Sequence, residues 1–232
     1  MATSTVEDYV KAIYLLQQDA PTGEATVVRL AATLGVTKGS VTAMVRKLRE
    51  AELAIAERYG GITLTPRGEK LALDMLRRHR LIEVFLVEVL GLDWSEVHEE
   101  AERLEHAMSG KVLDRLDAFL KHPTTDPHGD PIPDGQGRLA DSGGQRLCEL
   151  NEGDRATIVR VLDQDPGFLA SLAAHGVRPG STVLVRSLPK GAGSIVVEPE
   201  GGGSPLALSL EAAGRVLADP IPAPEPGGDR YR

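Results

Sequence analysis

The sequence predicts an α+β protein built from more than one domain. Apolar residues at helical spacing run through the first half of the chain, from Tyr9 to Leu120. Short β-branched or alternating runs follow Arg146. The stretch 122–144 between them is rich in Pro, Gly and Asp, which is typical of a linker or an extended loop. We therefore expect helical domains first and a small β-rich domain last.

Composition favours a cytoplasmic globular protein. The chain has 232 residues, of which 41% are hydrophobic and 26% charged, which is ordinary for such proteins. The N-terminus has no predicted signal peptide. Glu83 and Glu88 interrupt the most apolar stretch, 81–92, so no membrane span is expected. The one cysteine, Cys148, cannot form an internal disulfide, which favours a reducing compartment.

Charge is distributed unevenly along the chain. The formal net charge is −8, which taken alone disfavours a nucleic-acid partner. Residues 1–80, however, carry 12 Lys and Arg against 9 Asp and Glu, and the remainder carries 14 against 25. A mildly basic N-terminal module joined to an acidic remainder is compatible with DNA binding by the first part of the chain.

The N-terminal elements have the order of a winged helix-turn-helix. Tyr9, Ile13 and Leu16 mark a first helix, and a second covers about 26–34 and ends at Gly35. A third helix and a β-hairpin follow; the third helix is Lys38–Glu50, with Thr37 as its cap, and the two strands are 53–57 and 62–65.

The third helix is the predicted recognition helix, which would enter the major groove. It has no acidic residue before Glu50, and small polar groups at its start would reach phosphates and base edges. The candidate DNA-binding residues are Thr37, Lys38, Gly39, Ser40, Thr42, Ala43, Arg46 and Lys47, with Arg58 and Tyr59 at the tip of the hairpin. The pattern alone leaves open a helical hairpin whose charged face is only solvated.

Three further helices are predicted before the linker. Thr65-Pro66 begins a long helix that reaches about Leu90. Asp93 and Glu96 have the spacing of a capping box for a helix over about 94–108, and a last helix carries apolar residues from Val112 to Leu120.

Histidines and carboxylates share faces on two of these helices. His79 and Glu83 are four residues apart, as are His98 and Glu102, so each pair lies on one face. His106 and Glu105 extend the second face, and Asp8 offers a carboxylate from the first helix. Imidazole and carboxylate without thiolate suit divalent Mn, Fe, Co, Ni or Zn. The alternative is that each pair is an ordinary surface pair.

The part after Arg146 is predicted to be a small β-barrel of about 70 residues with one short helix near 168–174. The tail from Pro220 is rich in Pro and Gly and is expected to be disordered.

The sequence resembles the diphtheria-toxin-repressor family of metal-dependent regulators, closely over about 3–133 and more loosely beyond. The motifs that carry the resemblance are Glu7-Asp8-Tyr9-Val10, Ile13-Tyr14, the run 35–42, Leu64-Thr65-Pro66-Arg67-Gly68, Arg78-His79-Arg80-Leu81, the run 97–106 and the loop 126–133. The resemblance implies a winged-helix DNA-binding domain (1–72), an all-α metal-binding and dimerisation domain (73–140), an SH3-like β-barrel (146–219) and a tail (220–232).

The resemblance also implies two metal sites. One would use His79, Glu83 and His98, and Asp163, Gln164 or Asp165 could add a ligand from the third domain. The other would use Asp8, Glu102, Glu105 and His106. The positions of Asp8 and Glu102 hold a thioether and a thiol in the iron-responsive branch and carboxylates in the manganese branch. Lys11 departs from the manganese branch, where a carboxylate stands, so we expect two separate sites and not a bridged pair.

These implications define the expected function and the ligands. We expect a homodimeric repressor of metal-uptake genes that binds a palindromic operator in double-stranded DNA, and activation of other genes is a further expectation. Mn(II) is favoured by the oxygen ligands, Fe(II) is the alternative, and Co, Ni, Zn and Cd are expected to bind in vitro. No organic cofactor and no membrane contact are expected.

His128 and two rival functions complete the interpretation. His128 is expected to have a structural role, with backbone partners. A metallohydrolase is disfavoured because the sequence has no nucleophile elbow, phosphate loop or zincin motif. A metal-buffering module is disfavoured by the basic third helix.

Overall fold

The computed structural model describes residues 4–19, 23–56, 61–140, 143–187 and 193–222. The chain forms two compact units. The first extends to His79 and includes Glu102–Arg115 and Ile132–Leu139, whereas the second comprises Arg80–Ala101, Leu116–Pro131 and the chain from Ala140 onwards. The domain boundaries given above stay predictions.

The N-terminal part of the first unit has the predicted helix-turn-helix and hairpin. Its elements are α1 (Ser4–Asp19), α2 (Val27–Thr33), α3 (Lys38–Glu50), β1 (Ala54–Ala56) and β2 (Ile62–Leu64), the last two paired antiparallel. Tyr9, Ile13 and Leu16, whose spacing predicted the first helix, are buried in a core that also includes Leu30 and Val41.

Local side-chain chemistry explains where α2 and α3 begin and end. Thr37 is the N-cap of α3, since its Oγ1 accepts a hydrogen bond of 3.1 Å from the backbone N–H of Ser40. Thr26 caps α2 in the same way. Gly35 adopts a positive φ of 63° after α2, a conformation that glycine tolerates best.

Three helices follow: α4 (Pro66–Glu88), α5 (Val97–Glu105) and α6 (Gly110–Phe119). The predicted start of α5 at Trp94 is wrong. Asp93 Oδ1 accepts hydrogen bonds from the backbone N–H and the hydroxyl of Ser95, which makes a turn in place of a capping box.

The C-terminal sheet belongs to the second unit. Its strands are β3 (Gln145–Arg146), β4 (Arg155–Val161), β5 (Thr182–Ser187), β6 (Ser194–Pro199), β7 (Leu206–Ser209) and β8 (Val216–Ile221), and two helices accompany them, α7 (Pro166–Ala174) and α8 (Leu210–Ala213). The order is β3-β8-β4-β5-β6-β7. The predicted SH3-like barrel is therefore corrected to an open sheet. Among the described residues its end strands β3 and β7 are not paired with each other, and β3 has only two residues.

Two predictions about irregular segments also need correction. Pro220, the predicted start of the tail, lies in β8 opposite Ala156 of β4. The ladder between β3 and β8 covers Leu217 and Ala218, so Pro220 lies beyond it, in the part of β8 that has β4 as its paired strand. The rest of the predicted tail, from residue 223, lies outside the described residues.

The segment 122–144 is not simply a solvated linker. Asp126, His128 and Asp130 are buried, and the backbone N–H of Val161 on β4 donates to the carbonyl of His128 at 2.8 Å. A Cβ added at Gly129 would lie 2.0 Å from the carbonyl oxygen of Val159, so only glycine lets the 126–131 loop approach β4 this closely. No helix in the part of the chain that the structure describes is long and apolar enough to cross a membrane.

Two helical glycines provide a test of the packing of the first unit. A Cβ at Gly68 would lie 1.9 Å from the carbonyl oxygen of Leu53, whereas a Cβ at Gly39 would meet only Thr37 Oγ1 at 3.7 Å. We expect Gly68→Ala to lower the free energy of unfolding by about 2–3 kcal/mol. Gly39→Ala is expected to raise it by up to about 1 kcal/mol through helix propensity. Urea unfolding followed by circular dichroism measures both, and equal effects would contradict the packing.

Candidate metal centres and nucleic-acid interface

Helix α3 turns one face to the core and the other to solvent. Val41, Val45 and Leu48 are buried and fix its orientation. The predicted DNA-binding residues of this helix are all exposed: Thr37, Lys38, Gly39, Ser40, Thr42, Ala43, Arg46 and Lys47. Arg46 Nε lies 3.9 Å from Glu50 in an exposed pair, which holds the arginine only weakly. Arg58 and Tyr59 lie outside the described residues.

The start of α3 suits contact with an anion. It has no acidic residue in its first turn, so the positive end of the helix dipole is not offset locally. Thr42 Oγ1 donates to the carbonyl of Lys38 at 2.9 Å, which orders the side chain on the exposed face. The first turns therefore present small polar groups and positive potential to solvent.

The first candidate metal centre, here called the α1–α5 site, lies within the first unit. Asp8 on α1 and Glu105 and His106 at the end of α5 each offer a ligand atom, and these atoms lie within 4.8 Å of one another. His106 Nε2 is 2.9 Å from Asp8 Oδ1 and 3.7 Å from Glu105 Oε1. Burial raises the pKa of Asp8 despite the lowering effect of His106 and Lys11. A cation would relieve that penalty.

Glu105 is the buried centre of this site. Its Oε1 accepts a hydrogen bond of 2.6 Å from Lys11 Nζ, and its Oε2 lies 2.6 Å from His79 Nδ1. Burial raises the pKa of Glu105, but the hydrogen bond from His79 and the charge of Lys11 outweigh it and lower the pKa below its ordinary value. Glu105 thus remains an anion, as a metal ligand must be.

Two residues of the predicted set have partners beyond the predicted ligands. His79, assigned by resemblance to a site with Glu83 and His98, contacts Glu105 in the first unit. The side chain of Glu102 is 53% exposed, and its Oε1 lies 3.6 Å from Lys11 Nζ. Glu102 therefore borders the α1–α5 site through Lys11.

Sequence reasoning did not single out Glu7. Its Oε2 lies 2.9 Å from His106 Nδ1, on the opposite side of the ring from Asp8. A neutral imidazole donates through one nitrogen only, so a proton on Nδ1 that is held by Glu7 leaves Nε2 available as a ligand atom. A carboxylate on the far nitrogen commonly orients a metal-binding histidine. The sequence signals for Glu7 were its place in the motif Glu7-Asp8-Tyr9-Val10 and the neighbouring acid Asp8.

The second candidate metal centre, here called the Glu83 site, lies in the second unit. Glu83 on α4 is fully buried, and His98 Nδ1 lies 3.4 Å from its Oε1. The 126–131 loop brings two further groups that the predicted ligand set lacked. Glu83, Asp126 and His128 offer ligand atoms within 4.8 Å of one another, and all three are buried.

One ring nitrogen of His128 has the backbone partner that the sequence predicted, and the other faces a carboxylate. Its Nε2 lies 2.8 Å from the backbone oxygen of Trp94, which only accepts, so Nε2 is the donor. Its Nδ1 lies 3.8 Å from Glu83 Oε2. Burial lowers the pKa of His128, but Glu83 and Asp126 more than offset this and raise it above the ordinary value. Positive charge at Nδ1, from a proton or a metal ion, is therefore favoured.

Asp126 indicates the same chemistry. Burial, together with the charges of Asp130 and Glu83, raises its pKa to about 8 even though Arg80 is close by. Among the described residues no group donates a hydrogen bond to Asp126 Oδ2. A divalent cation suits a buried cluster of acids in which one carboxylate oxygen has no hydrogen-bond donor. The positive charge of the ion would offset the repulsion between the acids.

The three residues proposed as additional ligands from the C-terminal domain have different roles. Asp165 is the N-cap of α7, and Asp163 pairs with Arg215. Gln164 Nε2 donates to Asp130 Oδ2 at 3.2 Å, and Arg160 also pairs with Asp130. Gln164 is thus the one that contacts the 126–131 loop.

An exposed basic helix-turn-helix and two imidazole–carboxylate clusters define the class of the protein: a DNA-binding regulator that responds to metal. Three family models match the chain. They are the iron dependent repressor N-terminal DNA binding domain over residues 1–62, the iron dependent repressor metal binding and dimerisation domain over 65–134, and the FeoA domain over 145–220.

Individual proteins agree with these matches. The iron-dependent repressor IdeR of Mycobacterium tuberculosis is 37% identical over 208 residues, which are 83% of this chain and 88% of IdeR. The regulator MntR of Bacillus pumilus is 39% identical over 116 residues, 50% of this chain and 78% of MntR. The solved structure of a manganese-dependent transcriptional repressor in complex with manganese superimposes with a TM-score of 0.84 at 37% identity, over 93% of this chain and 100% of the other.

The chain belongs to the iron-dependent repressor family, which also includes manganese-dependent members. It is a metal-dependent, DNA-binding transcriptional regulator and not an enzyme.

The pKa of Asp126 gives a test of the Glu83 site. In the presence of a chelator, the folded chain keeps the Asp126 proton that the unfolded chain releases, so the free energy of unfolding should fall as the pH rises from about 5 to 8. Asp126→Asn removes this titration, and the decline should become shallower by up to about 1.4 kcal/mol per pH unit. Urea unfolding at a series of pH values measures the slope.

The matched control is Asp134→Asn. Hydrogen bonds from the backbone N–H and side chain of Arg138 lower the pKa of Asp134, so it stays charged across this range. For Asp134→Asn, the slope of the free energy of unfolding against pH should equal that of the unchanged chain. The buried acidic cluster would be contradicted if Asp126→Asn also left the slope unchanged.

Proposed function

We propose that the protein is a cytoplasmic homodimeric repressor of metal-uptake genes that binds a palindromic operator when Mn(II) or Fe(II) is bound. The observation that carries the proposal is the convergence of Asp8, Glu105 and His106 within 4.8 Å. Asp8 lies on the first helix of the helix-turn-helix, whereas the other two lie at the end of α5. The site thus links the DNA-reading element to a separate helical segment of the same unit.

The residues of the α1–α5 site account for metal dependence. Asp8 and Glu105 are carboxylates brought close together, and the partial burial of Asp8 raises its pKa. Asp8, Glu105 and His106, with Glu102 beside them, would hold the ion. A bound divalent cation supplies positive charge that offsets the repulsion between the two helices' carboxylates. The cation would favour the arrangement in which α1 and α5 are close, and we propose that this arrangement is the DNA-binding one, because a metal that activates DNA binding must bind that state better.

The donor set supports manganese as the physiological metal. Asp8 and Glu102 are carboxylates where softer sulfur ligands would favour other metals. Oxygen and imidazole ligands suit Mn(II) and also Fe(II), and relatives of both kinds support either ion. Co, Ni, Zn and Cd should bind in vitro, because later divalent metals generally bind such ligands more tightly.

The Glu83 site is the second proposed metal centre. His79 precedes Glu83 by one turn of α4, and His98 Nδ1 lies 3.4 Å from Glu83. Asp126 and His128 are added to the predicted ligands because their burial and the charges around them favour a cation. Gln164 would support the site by holding Asp130 in the 126–131 loop.

The DNA contacts are assigned to α3 and the hairpin. The eight exposed residues from Thr37 to Lys47 would face the major groove, and Arg58 and Tyr59 at the hairpin tip would reach the flanking backbone. A second copy of the chain would supply the second recognition helix for a palindrome. Exposed apolar side chains of the second unit that a partner subunit could cover are Val89, Leu90 and Phe119.

Removing one ligand should separate metal dependence from folding. We expect His106→Ala to lower DNA affinity in the presence of Mn(II) by roughly 10- to 100-fold, toward the metal-free value, because the α1–α5 site loses a ligand. Fluorescence anisotropy with a duplex from the gene's own upstream region measures affinity with Mn(II) and with chelator.

The control replaces a histidine that is far more exposed. The side chain of His122 is 72% exposed, and its positive φ of 57° suits asparagine, so His122→Asn should bind DNA as the unchanged chain does. Equal affinity with Mn(II) and with chelator in the unchanged chain would overturn metal dependence. Unchanged metal-dependent binding by His106→Ala would remove the α1–α5 site from the mechanism.

The basic face of α3 can be tested through salt. Replacing Arg46 and Lys47 together with Ala should weaken DNA binding and reduce the slope of log affinity against log salt by about 2, if each contacts one phosphate. Arg186→Ala, on β5 in the C-terminal sheet, removes an exposed arginine that pairs with Glu198 and should leave the slope unchanged. An unaltered slope in the double variant would show that neither residue contacts phosphate.

A further inference from the structure

Two parts of Trp94 hold the imidazole of His128. The backbone oxygen of Trp94 lies 2.8 Å from His128 Nε2, and its indole stacks on the imidazole with ring centroids 5.6 Å apart and an angle of 28° between the rings. A carbonyl that accepts from one ring nitrogen sets the tautomer of a histidine, and the stacked indole restricts how the ring can turn. These contacts leave Nδ1 as the nitrogen that faces Glu83.

The carboxylate of Glu83 does not fix the direction of this ring. His128 Nδ1 lies 3.8 Å from Glu83 Oε2, which is longer than a hydrogen bond. Both side chains are fully buried. The orientation of the imidazole therefore depends on Trp94.

Trp94 in turn belongs to the hydrophobic core of the C-terminal sheet. It is 2% exposed and packs in the same core cluster as Ile158 on β4 and Leu172 on α7. The guanidinium of Arg178 lies 5.3 Å from the centroid of the indole, and Arg178 Nη2 lies 3.7 Å from Asp93 Oδ2. A cation close to an indole is attracted to its face. The position of the indole is thus set by the C-terminal sheet and by the segment that precedes β5.

The backbone of His128 is held by the same sheet. The N–H of Val161 on β4 donates to the carbonyl of His128 at 2.8 Å, and Gly129 approaches Val159 so closely that a Cβ would lie 2.0 Å from its carbonyl oxygen. His128 is therefore tied to the sheet at its backbone through β4 and at its ring through Trp94. Neither contact uses Nδ1.

We propose that Trp94 is a positioning residue of the Glu83 site, through which the C-terminal sheet directs His128 Nδ1 towards Glu83. Loss of the indole then lowers the affinity of the Glu83 site for a divalent ion, although Glu83, Asp126 and His128 are all still present. This inference rests on the proposed function, because the Glu83 site is one of its two metal centres.

The test measures Mn(II) binding by full-length chains in which His106→Ala weakens the α1–α5 site. Adding Trp94→Leu keeps an apolar side chain in the core but removes the stacked ring. We expect the Mn(II) affinity of the Glu83 site to fall about 10- to 100-fold, as is usual when a group that orients a metal-binding histidine is lost. Trp94→Phe keeps an aromatic ring and should retain most of the affinity. Equilibrium dialysis gives the affinity and the number of ions.

The matched control is Leu172→Ala, which removes a side chain from the same core. Urea unfolding should show a lower stability for both Leu172→Ala and Trp94→Leu, whereas only Trp94→Leu should lose Mn(II) affinity. Equal losses of affinity would show that the core acts through stability alone, which overturns the inference. If Trp94→Leu does not fold, Trp94→Met, whose longer side chain fills more of the space, gives the same comparison.

A spectroscopic measurement needs no substitution at Trp94. In the metal-free unchanged chain, long-range proton–nitrogen NMR correlations of the neutral His128 ring should place the proton on Nε2, and a proton on Nδ1 would contradict the inference. Adding Glu83→Gln to the His106→Ala chain identifies the site. If Mn(II) binding then stays the same, the Glu83 site and this inference are both overturned. If binding depends on Glu83 but Trp94→Leu leaves it unchanged, the inference alone fails.

Discussion

The buried carboxylate of Glu105 is the interaction on which the first unit depends. Its two oxygens face Lys11 on α1 and His79 on α4, each at 2.6 Å. A buried carboxylate without partners would be strongly destabilising, so these contacts tie three helices together. The ligand atoms of Asp8 and His106 lie within 4.8 Å of it. The geometry of the proposed metal centre therefore follows from a charge pairing that holds α1 against α5.

The two proposed metal centres differ in burial, and this difference has a physical consequence. In the α1–α5 site the side chains of Asp8 and His106 are 41% and 24% exposed, so water can screen their charges while no ion is bound. In the Glu83 site all three of Glu83, Asp126 and His128 are buried, and the charge of Arg80 does not offset the burial and repulsion, as the raised pKa of Asp126 indicates. If both proposed centres hold ions, an ion would leave the first at a lower electrostatic cost than the second.

Local signals in the sequence were enough for most helices and strands, but not for contacts between distant segments. Thr37 and Gly35 mark the ends of helices through bonds and dihedral angles within a few residues. Whether the C-terminal sheet closes into a barrel depends on which distant strands pair. The alternation of apolar and polar residues along each strand does not encode that pairing. Lys11 and Glu105 are 94 residues apart, so their pairing could not be read from spacing. His128 becomes a candidate ligand only because its loop packs beside Glu83.

In the proposed mechanism, metal binding and DNA binding are coupled because α1 carries a ligand of the α1–α5 site and packs against the proposed recognition helix. Asp8 lies on α1, whose buried face packs in the same core as Val41 and Leu48 of the recognition helix α3. An ion that favours α1 near α5 therefore favours one placement of α3, and the operator selects a placement of α3 in turn. Coupling between two ligands is reciprocal, so an operator must raise the affinity of the chain for metal by the factor by which metal raises its affinity for the operator. The metal threshold then belongs to the pair of protein and operator.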